Sequence, residues 1–181
     1  MSGSDADKRA GSPGIESIEA FLAHAVALES EVAERYEEIA DSMEIHNNAE
    51  VAQLFRKLAR ASSKHAGEMR KRAAGKVLPQ IAPWEFQWGD TSAPETPSME
   101  KTHYLMTPYQ ALEMARNAEI QAQNYYTSVA DGTSNEDVRK LGLEFAYEEA
   151  EHVDLVNKLI AKYPKPEKGW DFDPDPPTIP E

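Results

Sequence analysis

The stretch Phe145-Ala146-Tyr147-Glu148-Glu149-Ala150-Glu151-His152-Val153-Asp154-Leu155-Val156 decides the fold. Phe145, Glu149, His152 and Val156 recur at steps of four, three and four, so on an α-helix they share one face. Apolar residues bound that face at both ends, which marks it as core, yet its middle holds a carboxylate and an imidazole. The period extends outward through Val138, Leu141 and Leu159. Ser134 with Asp137 three residues on reads as a helix start, and Pro164 as its stop.

Three more segments carry the same period. The first spans about Ile15 to Glu44, with Ile18, Leu22, Ala25, Val32, Tyr36, Ile39 and Met43 on its stripe. A second begins near Asn47, with Asn47 or Asn48 as N-cap, runs through Val51, Leu54, Leu58, His65 and Met69, and stops at Gly75. The third opens on Thr107, Pro108 and Gln110, which combine a capping residue, a proline at the first helical position and a capping-box glutamine. It ends near Gly132. Only a few residues separate the first helix from the second and the third from the fourth, so each pair is expected to form an antiparallel hairpin. The join over 76–107 is far longer; it holds Pro79, Pro83, Pro94 and Pro97 with Trp84, Phe86 and Trp88, enough chain to cross the length of a bundle. The organisation expected is a disordered leader over 1–14, a four-helix bundle over 15–162, and a Pro/Asp-rich tail over 163–181, extended or disordered.

An internal repeat supports this plan. Shifting the first helix by 90 residues sets Ala25 on Ala115, Glu29 on Glu119, Tyr36 on Tyr126 and Ala40 on Ala130. Shifting the second by 87 sets Val51 on Val138, Leu54 on Leu141, Ala59 on Ala146 and His65 on His152. The bundle reads as two copies of one helical hairpin.

Composition narrows the function. The formal charge of −13 over 181 residues disfavours nucleic acid, whose phosphates select basic faces, and suits attraction of cations or simple solubility. Cysteine is absent, which removes disulfides, thiolate zinc sites and Cys-ligated iron, so any metal must sit on nitrogen and oxygen ligands. No run approaches the roughly 18 apolar residues of a membrane span, and the first residues lack the apolar core of a signal peptide, so a cytoplasmic location is the default.

The polar residues on the apolar stripes carry the chemistry. Glu29 lies among Leu22, Ala25, Val32 and Tyr36; Glu119 is enclosed in the same way by Leu112, Ala115, Ala122 and Tyr126. His65 falls between Leu58 and Met69, and Glu149 with His152 between Phe145 and Val156. A lone glutamate on such a stripe is most simply an edge position reaching water. Glu29 and Glu119 at repeat-equivalent places, His65 matching His152, and Glu149 three residues before His152 are another matter, because desolvating a carboxylate costs several kcal/mol unless a cation compensates it. Oxygen and imidazole ligands converging from four helices suit iron or manganese, with zinc a further candidate.

At these residues the chain resembles the rubrerythrin branch of the ferritin-like di-iron carboxylate proteins. Glu29 with Tyr36 and Glu119 with Tyr126 match a Glu-x6-Tyr pattern, and Glu149-x-x-His152 matches the fourth-helix motif, over about Ile15 to Ile160. The resemblance implies an all-α, ferritin-like four-helix bundle, a homodimer, and oxidation of Fe(II) by oxygen or peroxide at Glu29, His65, Glu119, Glu149 and His152. Glu29 with Glu149 and His152 would hold one ion, and Glu119 and His65 would help hold a weaker second. Tyr36 and Tyr126 would then lie behind the ligands, as hydrogen-bond donors or redox participants, although core tyrosines would look the same in sequence.

Two departures temper this. Where the second helix should read Glu-x-x-His it reads Ser62-Ser63-Lys64-His65, so one carboxylate is missing and a second ion loses a ligand and charge compensation. Glu68, one turn beyond His65, is a candidate substitute for that carboxylate but points about a turn away. Ala122 stands where peroxidase-type relatives carry a further glutamate, and the lack of cysteine removes a rubredoxin-like module. The rival reading is therefore a degenerate bundle, binding one metal or none, that engages a protein partner through loop 84–88 or its acidic tail. His24, His46 and His103 are expected to be solvated, and the Trp84, Phe86 and Trp88 group to pack the crossover over the bundle.

Overall fold

Ser17 opens α1 (Ile18–Ile45), its hydroxyl accepting the Ala20 N–H at 3.1 Å. The computed structural model describes residues 14–88, 94, 96–97 and 102–173. Residues 1–13 of the expected leader, part of the crossover, and 174–181 of the tail lie outside them. The helix closes on Asn47, whose φ of 58° reverses the chain in the left-handed region that asparagine tolerates. Then α2 (Ala49–Arg72) runs back antiparallel to α1. On the far side of the crossover, α3 (Pro108–Gly132) begins with the Thr107/Gln110 capping box expected from sequence. Next, α4 (Glu136–Ile160) returns along it. The result is an all-α four-helix bundle, two antiparallel hairpins joined by a long crossover, with no strand among the described residues. No described helix is long and apolar enough to cross a membrane.

Two helix starts differ from expectation. Asn135, not Ser134, caps α4, its side-chain oxygen accepting the N–H groups of Asp137 at 2.9 Å and Val138 at 3.4 Å. Ser134 is turned away because Glu16 claims both its N–H and its hydroxyl. Asn48 occupies the N-cap of α2 without capping it; its amide donates to the carbonyls of Tyr104 at 3.0 Å and Met106 at 2.8 Å. Both polar side chains are diverted to joining the hairpins, one at each of two turns.

The core explains why the stripes face inward. Phe21 of α1 meets Tyr126 of α3 at 5.7 Å and Phe145 of α4 at 5.1 Å, ring centre to ring centre, so one aromatic cluster spans both hairpins. Within the second hairpin the backbones approach closely at Gly142, where an added Cβ would lie 3.1 Å from the Tyr126 carbonyl and 3.2 Å from Ala130 Cβ. Glycine is needed there for space.

The crossover and tail pack against the bundle. His24 is buried, contrary to the solvated position expected for it: Nδ1 bonds the Ala20 carbonyl at 2.8 Å and Nε2 accepts the Gln87 N–H at 3.0 Å. Phe86 and Trp88 stand edge-on to its ring, and Trp88 also meets Tyr125. Trp84 behaves differently and stays 84% exposed. His46 remains exposed yet lies against Tyr104, while His103 is half-buried between Tyr104 and Trp170. The Tyr104 hydroxyl bonds Asp173, so residues 164–173 of the tail fold back onto the crossover instead of leading away.

Candidate metal centre

Glu29 and Glu149 are 1% and 2% exposed, carboxylates in the middle of the apolar stripes of α1 and α4. Around them stand the half-buried Glu119 of α3, His65 of α2 and His152 of α4. The structure thus brings together all five residues singled out from sequence. His152 Nδ1 lies 2.9 Å from Glu149 Oε2 and 3.3 Å from Glu119 Oε2. His65 Nδ1 lies 3.3 Å from Glu29 Oε1. The two imidazoles stack across the hairpin boundary, 4.6 Å between centroids and 9° from parallel.

The grouping differs from the one expected. Glu119, Glu149 and His152, all from the second hairpin, form the compact trio, with ligand atoms within 4.8 Å of one another. Glu29 pairs with His65 in the first hairpin. There the third member would come from position 62, the repeat mate of Glu149, and Ser62 is buried in its place. Tyr36 and Tyr126 are fully buried one turn or more beyond Glu29 and Glu119, against Phe55 and against Phe21 and Phe145 respectively.

Electrostatics expose what the arrangement lacks. Burial pushes Glu149 up to about 8, opposed by His152 and reinforced by Glu119 and Glu29. Burial likewise raises Glu29, partly offset by His65. The carboxylates in turn hold the imidazolium of His152 up to about 10, and Glu29 raises His65. Glu29 Oε2 has no hydrogen-bond partner although it is sealed from solvent. Three carboxylates face two imidazoles whose Nδ1 atoms point among them, a nitrogen and oxygen donor set with a surplus of negative charge. Such a group fits a divalent cation of the iron, manganese or zinc kind. A cavity of about 170 Å³ leads from it to the surface between α2 and α4, lined by Glu29, His65, Glu149 and His152 within and by Glu68 and Arg72 nearer solvent. Arg72 bonds Glu144 at 2.6 Å and Glu148 at 2.8 Å and lies 5.0 Å from the Phe145 ring centre.

This fold and this donor set define a ferritin-like carboxylate bundle. The family model for rubrerythrin matches residues 20–105 and 110–175, and the chain belongs to that family. A crystal structure of an uncharacterized conserved protein from Magnetospirillum magnetotacticum MS-1, at 2.00 Å resolution, is similar to it. The two share 45% identity and a TM-score of 0.61, over 83% of this chain and 98% of that one. No curated protein matches the sequence.

Proposed function

We propose that this chain is a rubrerythrin-like metal protein that holds one ion tightly at Glu119, Glu149 and His152 and a second, weaker one on the Glu29 and His65 side. The observation that carries the reading is the burial of Glu29 and Glu149 beside two imidazoles: four-helix packing keeps water from the carboxylates, and a bound cation would answer the charge that protonation and the His152 imidazolium otherwise answer. Iron is the ion that the family most suggests. When bound, Fe(II) supplies electrons for reducing oxygen or peroxide.

The chain's own residues have separate roles in this reading. Glu149 belongs to the trio and lines one cavity with Glu29 and His65. His65 and His152 present Nδ1 inward, and ligation would release the proton each carries to solvent, because the carboxylates must themselves be ionised to bind the ion. Phe21, Phe145 and the buried rings of Tyr36 and Tyr126 exclude water from behind.

Ser62 favours a second reading, a bundle that binds a single ion without turnover. Metal analysis of protein purified without added metal, followed by anaerobic Fe(II) titration, tests the first. At least one iron per chain is expected, lost in Glu149→Ala; less than one, or an unaffected variant, refutes it. Oxygen consumption per iron then separates an oxidase from a static binder.

A further inference from the structure

On α2 the order His65-Ala66-Gly67-Glu68 repeats, reversed, the residue types and spacing of Glu149-Ala150-Glu151-His152 on α4. We propose that Glu68 supplies the carboxylate that Ser62 does not, completing the Glu29–His65 half of the centre. The inference rests on the metal reading above and assigns a ligand outside the family pattern.

Four observations carry it. Residues three apart on a helix are neighbours on one surface, so Glu68 rises beside the His65 ring. Glu68 and His65 line the same cavity, together with Glu29, Glu149 and His152, and its volume of about 170 Å³ leaves room for a carboxylate to swing inward. Glu29, whose Oε2 is buried and without a hydrogen-bond partner, is one of the residues lining the same cavity. Finally, charge balance needs another anion: Glu119 and Glu149 match one divalent ion, whereas Glu29 alone leaves the second half short by one charge.

Glu68 is also the wall's available carboxylate. Its partner is Lys64 at 3.5 Å, with both side chains exposed, at 48% and 76%, so the pair is weak and easily given up. Glu148 is committed to Arg72 at 2.8 Å. Glu151 lines the cavity too, but from α4, beside the trio that is already complete.

Anaerobic titration of metal-stripped protein with Co(II), followed by visible absorbance and calorimetry, tests this without reference to turnover. The wild-type chain is expected to bind one ion tightly and a second more weakly. E68Q should keep the tight ion and weaken the second at least tenfold, E151Q should alter neither, and S62E added to E68Q should restore the second. Circular dichroism checks that each variant is folded. The assignment to Glu68 is overturned if E68Q binds the second ion as wild type does, or if E151Q weakens it equally. Absence of the tight ion from wild type would instead sink the metal reading, and this inference with it.

Discussion

His65 and His152 stack face to face, 4.6 Å apart, at equivalent places in the two halves of the sequence repeat. A pseudo-twofold relationship between the hairpins therefore passes through the centre, but the surroundings of the two rings are unequal. His152 has two carboxylates within 3.3 Å, and His65 has one, at 3.3 Å.

That inequality predicts unequal variants. His152→Ala is expected to remove the tight ion, with affinity falling at least ~100-fold for loss of one ligand of three, while His65→Ala leaves it and affects the weaker ion alone. Calorimetric titration of the two variants with Co(II) or Zn(II) distinguishes them. Equal losses would mean that both ions depend on both hairpins alike.

Protonation gives a second prediction. Glu149 is raised from 4.5 to about 8 and His152 from 6.5 to about 10, so the folded chain holds these protons more tightly than the unfolded one. Their stabilisation is complete below the unfolded values and is lost as pH rises through the folded ones, between 4.5 and about 8 for Glu149 and between 6.5 and about 10 for His152. His24 has the opposite sense, since burial lowers it and its contribution fades as pH falls below 6.5. Chelator-treated protein should therefore melt at progressively lower temperature from near-neutral to alkaline pH. A divalent ion should reverse the trend and release protons as it binds. A melting temperature that climbs with pH in the absence of metal contradicts this account.

The crossover is secured through His24. His24→Ala leaves the Gln87 N–H without its acceptor and opens a gap beneath Phe86 and Trp88, with an expected loss of about 1–3 kcal/mol. Trp88 fluorescence should shift to the red, and proteases should cut within 76–107 before they cut the helices. Intact resistance to limited digestion would show that other contacts hold the segment.

Gly142→Ala tests the close approach of α3 and α4. Alanine normally gains ~1 kcal/mol over glycine in a helix, but here its Cβ meets the Tyr126 carbonyl at 3.1 Å, and overpacking of ~1–3 kcal/mol should win. Denaturant unfolding measures the sum. A stabilised variant would mean that the helices part at little cost.

The helices were legible because their stripes are long and their ends punctuated: the Thr107, Pro108 and Gln110 start is found as read. The five polar residues of the centre were legible for the same reason, as each interrupts an apolar period. What escaped depends on chain that has no period. His24 looked solvated because the aromatic group of 76–107, though expected to pack on the bundle, does not announce that Phe86, Gln87 and Trp88 settle on that residue. Ser134 looked like the cap of α4, and the amide of Asn48, which does occupy the N-cap of α2, looked bound to its own helix, because their bonding to Glu16 and to Tyr104 spans 118 and 56 residues. The grouping of Glu119 with Glu149 and His152 followed from the depth at which α3 meets α4, which spacing along one helix does not encode.

The short turns at 46–48 and 133–135 have a further consequence, for the order of assembly. Each hairpin closes through contacts near in sequence and can form early, with Glu29 and Glu149 still hydrated on its open face. The electrostatic penalty of the centre falls on the last event, when one hairpin settles on the other. Acidity and cations should therefore govern the rate of that joining and leave helix formation almost untouched, so that the buried charges act as a checkpoint on assembly.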